Sequence, residues 1–251
     1  MASSSSEHVL VWDLETAPDL AAVSRINGRD MSDAEMDEYL GDKFPALPLH
    51  KIVCIGALIA QRGAHGWIVQ SLGAPHIGQR AEGELIAAFV ERIASLRPKL
   101  ISFNGQRFDL PVLRYRAMIN SVAAPSLEAR GYFKRYTDEA VDLCDVLASY
   151  DARARVSLNH LSRLLGLPGK GDDIEGGQVA ALVKEGRIQA VADYCETDVV
   201  NTYRVWLRYE LFRGGLTSAE FEASEAALRE FVSAKAAEKP HLAAFASSEK
   251  P

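Results

Sequence analysis

Val9-Leu-Val-Trp-Asp-Leu-Glu-Thr-Ala-Pro18 is the stretch on which the fold of this chain turns. Four apolar residues, Val9 to Trp12, lead directly into Asp13 and Glu15, as expected of a buried strand that delivers two carboxylates at its end. Side chains alternate across a strand, so Asp13 and Glu15 share one face. Working outward, Ile101-Ser-Phe-Asn-Gly-Gln-Arg-Phe-Asp109 brings a third acid after a strand-to-helix turn. Asp193-Tyr-Cys-Glu-Thr-Asp198 then places Tyr194 and Asp198 four apart on one face of a helix. Acids gathered from distant segments repel unless something positive lies between them, and hard oxygen donors in that number suit magnesium or manganese. The expectation is a two-metal phosphoryl-transfer site. Each motif alone is weak: a D-x-E at a strand end is common, and Asp109 with Pro111 behind it could simply start a helix. Their joint order and contexts carry the reading.

The rest of the chain supplies a frame for these motifs. Strands are predicted over His8–Leu14, Ile52–Ala60, Gly66–Leu72, Leu100–Phe103 and Ala140–Leu143, the second and third joined by a turn at Arg62-Gly63-Ala64. Helices are predicted over Ala81–Leu96, from Asp109 to Asn120, over Ser157–Gly166, from Ile188 to Phe212 and from Ser218 to Lys235. The fold class is α/β, a mixed five-stranded sheet flanked by helices. Residues 1–7 read as a disordered N-terminal segment, 8–213 as the functional domain, and 214–251 as a C-terminal helix and polar tail. The stretch 17–50 is long for a connection and holds a helical run around Ser32 to Tyr39, so it reads as a lid or an inserted helix. His160 is expected to be a half-buried packing residue. The Gly-rich stretch Pro168–Gly177 lacks the spacing of a phosphate-cradling loop.

At 251 residues, 48% of them hydrophobic and 25% charged, the chain has the length and composition of an ordinary globular α/β domain. The absence of a long apolar run or a secretory leader predicts a cytoplasmic protein without a membrane partner. Cys54, Cys144 and Cys195 are widely separated and form no C-x-x-C, which predicts reduced thiols rather than a zinc site or a disulfide framework. A formal charge of −6 is awkward for an enzyme of polyanions. The bases are, however, concentrated locally: Arg107, Arg114, Arg116, Arg130, Lys134 and Arg135 crowd one region, and Arg153, Arg155, Arg163 and Lys170 extend a basic track. Arg130-Gly-Tyr-Phe-Lys-Arg-Tyr136 interleaves aromatic with basic residues, a combination that suits a single strand, although an ordinary solvated loop has the same composition.

Taken together, these residues resemble the 3'-5' exonucleases of the DEDD superfamily, tyrosine subclass, and most of all the proofreading exonuclease domains of family B DNA polymerases. Asp13-Leu-Glu-Thr16 is similar to that family's first motif, Asn104-Gly-Gln-Arg-Phe-Asp109 to its second, and Tyr194-Cys-Glu-Thr-Asp198 to its third. The histidine subclass would place its base five residues before the last acid, where this chain has Asp193. The resemblance implies a ribonuclease H-like fold and a metal-dependent 3'-5' exonuclease that releases nucleotides from the 3' end of single-stranded DNA. No polymerase segment is expected, hence no proofreading in cis.

The resemblance also implies roles. Asp13 would bridge two Mg2+ or Mn2+ ions, Glu15 and Asp198 would complete the site of the attacking water, and Asp109 would hold the second ion, partly through water. Tyr194 would orient that water, since a phenol with a pKa near ~10 is a poor base at neutral pH. Leu14, Thr16, Asn104 and Phe108 would contact the terminal nucleotide, and Lys170 would reach a substrate phosphate. Two alternatives stay open: a 3'-5' exoribonuclease of ribonuclease D type, and a nucleic-acid-binding module of the same fold without catalysis.

Overall fold

The alternation of the first strand is what divides the molecule into two layers around its sheet. In the computed structural model, which describes residues 7–41, 44–168 and 176–246, Val9 and Val11 point into one core and Leu10, Trp12 and Leu14 into the other. The strands are β1 (His8–Pro18), β2 (His50–Gly63), β3 (Gly66–Gly73), β4 (Lys99–Ser102) and β5 (Ala140–Asp142). They form a five-stranded sheet in the order β3-β2-β1-β4-β5. The first three are antiparallel neighbours, while β4 and β5 run parallel to β1. This mixed sheet, central strand first and flanked by helices, is the ribonuclease H-like arrangement. All five expected strands are present. β1 continues past its expected end to Pro18, because β2 starts early enough, at His50, to keep pairing with it.

The helices are α1 (Leu20–Asn27), α2 (Asp33–Leu40), α3 (Glu82–Leu96), α4 (Asp109–Ile119), α5 (Pro125–Ala129), α6 (Leu143–Leu147), α7 (Leu158–Leu164), α8 (Val179–Lys184), α9 (Ile188–Phe212), α10 (Ser218–Lys235) and α11 (Ala243–Ala246). Helices α3 and α4 cover the Leu10/Trp12 face, where Trp12 meets Phe89 at 5.1 Å between ring centres. Helices α9 and α10 cover the Val9/Val11 face, where Trp206 packs edge-on against Trp67 at 5.1 Å. Complete burial of such side chains contributes about 1.5–3 kcal/mol each, which holds α9 firmly on the sheet.

Between β1 and β2 the sequence pattern revealed only one helix, but the chain forms two. Asp19 caps α1 by accepting from Ala22 N at 3.0 Å, and Gly28 ends it at φ 66°. Ala22, Val23, Met36 and Leu49 bury one another in a small satellite core. A capping signal was present in Asp19, but eight residues are too few for the pattern to decide between a helix and a loop. His160 lies exposed on α7 rather than half-buried, because the helix turns Leu161 inward instead. The expected N-terminal disordered segment up to residue 6, the end of the polar tail from 247, and Lys170 lie outside the described residues.

Candidate active site

Asp13 stands opposite Gly56 on β2, and this pairing brings the third motif to the first. A side chain at Gly56 would place its Cβ 2.6 Å from Cys195 Sγ and 3.0 Å from Val199 Cγ2, so only glycine lets α9 lie this close. Cys195 Sγ then sits 3.7 Å from the Asp13 carbonyl oxygen and 3.8 Å from Asp13 Oδ2. The neighbours of Cys195 and Val199 on the helix, Tyr194 and Asp198, are thereby turned to the edge of β1 that carries Asp13 and Glu15. The pairing register shifts just after Glu15, with Val53 as the extra residue of β2. Such a bulge bends and twists the strand, which re-aims the residues on either side of it.

One open pocket results. Asp13, Leu14, Glu15 and Thr16 from β1, Asn104 and Phe108 from the β4–α4 turn, and Tyr194 and Asp198 from α9 all line it. Burial pushes the Tyr194 phenol far above its ordinary range, and Asp198, Glu15 and Asp13 push it further. The phenol is hydrogen-bonded to Asp198, one helical turn on. These neighbours favour the protonated hydroxyl.

Ligand atoms of Asp13, Glu15 and Cys195 lie within 4.8 Å of one another. The Cys195 thiol is raised well above its usual range, first by its hydrogen bond with Cys54 and then by burial, which favours the neutral thiol. Asp13, Glu15 and Asp198 offer hard carboxylate oxygens instead. The three carboxylates fit a hard divalent cation such as Mg2+ or Mn2+.

Asp109 is placed differently from the other acids. It is buried like Glu15 and Asp198, but it does not line the pocket, and its Oδ1 accepts from Leu14 N at 2.9 Å. Burial raises its pKa, against the pull of that hydrogen bond. The carboxylate thus secures the backbone between Asp13 and Glu15 from behind. Its Oδ2 looks toward Gly105, a residue that has no room for a side chain against Ser102. Asn104 adopts φ 69°, and Asp142 holds this turn by accepting from Asn104 N at 2.7 Å and Gln106 N at 3.0 Å. Asp142 carried no signal in the sequence, because an acid after a strand is uninformative until its partners are known.

Two further groups escaped the sequence reading. His50 Nε2 meets the Pro45 carbonyl at 3.1 Å and its Nδ1 meets Thr16 Oγ1 at 3.0 Å. A carbonyl only accepts, so neutral His50 donates from Nε2 and receives the Thr16 hydroxyl proton at Nδ1. Burial keeps the imidazole pKa low, despite the Pro45 carbonyl, which favours this neutral form. Phe44, 72% exposed, packs on His50 at 4.6 Å and edge-on to Phe108 at 5.6 Å. Both Phe44 and His50 line the pocket. An aromatic residue beside Pro45 at the end of the long connection was the available clue.

The basic track is only partly realised. Arg107 and Arg155 line the pocket. Arg116 is instead buried among Asp19 and Glu82, and Arg130 is held by Glu139 and the Arg97 carbonyl. Counting charges along the sequence could not reveal which ones the fold neutralises. Cys54, Cys144 and Cys195 are free and buried.

The profile of a family described as predicted 3'-5' exonucleases related to the exonuclease domain of PolB matches residues 42–249. This chain belongs to that family. The matched span of this PolB-related exonuclease takes in Asn104, Asp109, Tyr194 and Asp198, while Asp13 and Glu15 precede it and are joined to it through the β1–β2 pairing. No curated protein matches the chain. Among solved structures, a product-bound exonuclease I aligns over 79% of this chain and 46% of its own, at 17% identity and a TM-score of 0.37. The zinc-bound form of an E. coli ExoI–ssDNA complex aligns over 79% and 43%, at 18% identity and a TM-score of 0.38. E. coli exonuclease I with a dA16 oligonucleotide aligns over 79% and 44%, at 16% and 0.35. The chain spans less than half the length of these structures. Among the described residues no helix is long and apolar enough to cross a membrane.

Proposed function

We propose that this chain hydrolyses single-stranded DNA from its 3' end, releasing nucleotides by two-metal catalysis with Mg2+ or Mn2+. The observation that carries the proposal is the pocket itself, in which Asp13, Glu15, Asp198 and Tyr194 converge with Asn104 and Phe108 from three distant segments. Asp13, Glu15 and Asp198 would hold the ions, with Asp109, set back from the pocket, contributing through water. What divalent ions supply at such a site is acidified water and neutralisation of charge on the leaving oxygen.

The remaining work falls to the chain's own residues. Tyr194 donates its proton to Asp198 and keeps a lone pair on its oxygen, which can accept from the attacking water and so fix its direction. Phe44 and Phe108 offer apolar ring faces and edges to the terminal nucleotide. Asn104 and Thr16 supply polar contacts, Thr16 being held in place by His50. These contacts position the strand without reading its sequence. Lys170 remains part of the proposal as a phosphate contact.

A gel assay with 3'-labelled and 5'-labelled single strands in Mn2+ tests the reading. The 3' label should be released first as a mononucleotide, and a terminal 3' phosphate should slow its release. Equal cutting of a circular single strand would overturn the exonuclease assignment. Matched RNA strands belong in the same assay, because faster digestion of RNA would replace DNA as the substrate.

A further inference from the structure

We propose that Tyr136 and Tyr150, with Arg135 between them, form a stacking platform for the single strand upstream of the nucleotide held in the pocket; the proposal rests on the exonuclease reading above. The two tyrosines come from separate loops, one between α5 and β5 and one after α6. Both have backbones in the left-handed region, at φ 67° and φ 63°, and Ser149 beside Tyr150 is at φ 49°. Bulky residues avoid that region, and backbone strain retained by a fold concentrates at functional positions.

The two side chains meet at the surface. The rings meet at 4.5 Å between centres and 63° between planes, and the Arg135 guanidinium lies 5.5 Å from one centre and 5.3 Å from the other. Tyr136 is 73% exposed, so this is a surface assembly and not part of the core. An exposed ring with a cation against it is the pairing that stacks a base and attracts its phosphate, whatever the base.

A single buried carboxylate joins the platform to the pocket. Asp145, 1% exposed, accepts from Arg135 Nε at 3.1 Å and also holds Arg155. Arg155 Nη1 in turn donates to Asn104 Oδ1 at 3.1 Å, and both Arg155 and Asn104 line the pocket. Arg135 and Arg155 thus share Asp145 along the line from the pocket to the rings, with Asp142 as the second acid near them. A strand whose 3' end sits between Phe44 and Phe108 would leave along that line.

The test uses fluorescence anisotropy in chelator, which keeps strands intact, with labelled oligodeoxythymidylate long enough to reach both places and a labelled dinucleotide for comparison. Tyr136→Gly suits the left-handed backbone and should melt no lower than the wild type, yet bind the long strand about tenfold more weakly, as expected for one lost stacking contact. Tyr150→Gly should behave alike. Tyr136→Phe, which keeps the ring, should bind like the wild type. The preference for the long strand over the dinucleotide should therefore fall in both glycine variants. An unchanged preference overturns the platform, as does a loss that Phe does not restore. A wild type that digests 3' ends but shows no change of preference in the variants would sink the platform alone. A wild type that binds through the tyrosines but releases no nucleotide would sink the exonuclease reading alone.

Discussion

Two regions of this molecule gather acidic side chains from distant parts of the chain, and they are built in opposite ways. Between α1, α3 and α4, Asp19 and Glu82 close on Arg116. The guanidinium donates to Glu82 from Nε at 2.7 Å and from Nη2 at 2.6 Å, and to Asp19 from Nη1 at 2.8 Å. Glu82 also accepts from Ile52 N at 2.7 Å and Asn120 Nδ2 at 3.0 Å. All three charged groups are buried and their hydrogen bonds are directed inward. In the pocket on the other face of β1, Asp13, Glu15 and Asp198 surround a neutral phenol and lie beside a neutral thiol. The first cluster carries its cation in the sequence and fastens the inserted helices to the sheet; the second, in our proposal, takes its cations from solution and does chemistry. Acid clusters in a fold are distinguished by where their positive charge comes from.

The sharpest way to break this contrast is Asp13→Ala. Metal-dependent hydrolysis should fall by about 10²–10³-fold or more, the range seen when an electrostatic element of a transition state is removed, while the melting temperature changes little. Retention of substantial Mn2+-dependent activity by the purified variant would mean the pocket is not the site.

Arg116→Ala should show the reverse. Two carboxylates would be left buried without their cation, at a cost of about 3–5 kcal/mol in urea denaturation. Its pH dependence carries a sign. Burial alone would raise the pKa of Asp19, but Arg116 and the Ala22 amide outweigh it and hold the pKa low. The stabilisation is thus complete above the ordinary carboxylate range and is lost as pH falls through the lowered value. The stability gap between wild type and variant should narrow on acidification, and a gap that widens would contradict this account.

Added metal should separate the regions again. Manganese at a hundredfold excess over its Kd should stabilise the wild type by about 2.7 kcal/mol, because metal binds only the assembled site. Melting curves of Asp198→Asn should show a much smaller shift, and those of an Asp19→Asn protein the full one. Equal shifts in the wild type and Asp198→Asn would remove Asp198 from the metal site.

Gly56→Ala probes how closely α9 must approach. The added methyl meets Cys195 Sγ at 2.6 Å, and overpacking of this kind costs about 1–3 kcal/mol. Turnover should drop with it, since Tyr194 and Asp198 move away from Asp13, and Cys195→Ala in the same protein should restore part of both. The smallest effect is expected for Tyr194→Phe. Losing a water-orienting hydroxyl should lower kcat by about tenfold, below the range for removing a general base. A Tyr194→Phe protein as inactive as Asp13→Ala would make the phenol an essential proton acceptor.

What the sequence determined by itself was everything that depends on local period. Two-residue alternation set Asp13 and Glu15 on one face of β1, and four-residue spacing set Tyr194 and Asp198 on one face of α9. The same periodicities located the five strands and the long helices. Tertiary structure alone decided the rest, because it depends on which distant atoms meet. Whether Arg116 serves a substrate or Glu82 could not be read from charge, since both roles call for the same residue. That Asp109 would turn an oxygen to Leu14 N, that Gly56 would admit α9, and that His50 would hold Thr16 all follow from close approach between segments far apart in the chain. Local propensity carries no information about such contacts, and in this protein they fix how the four carboxylates are aimed.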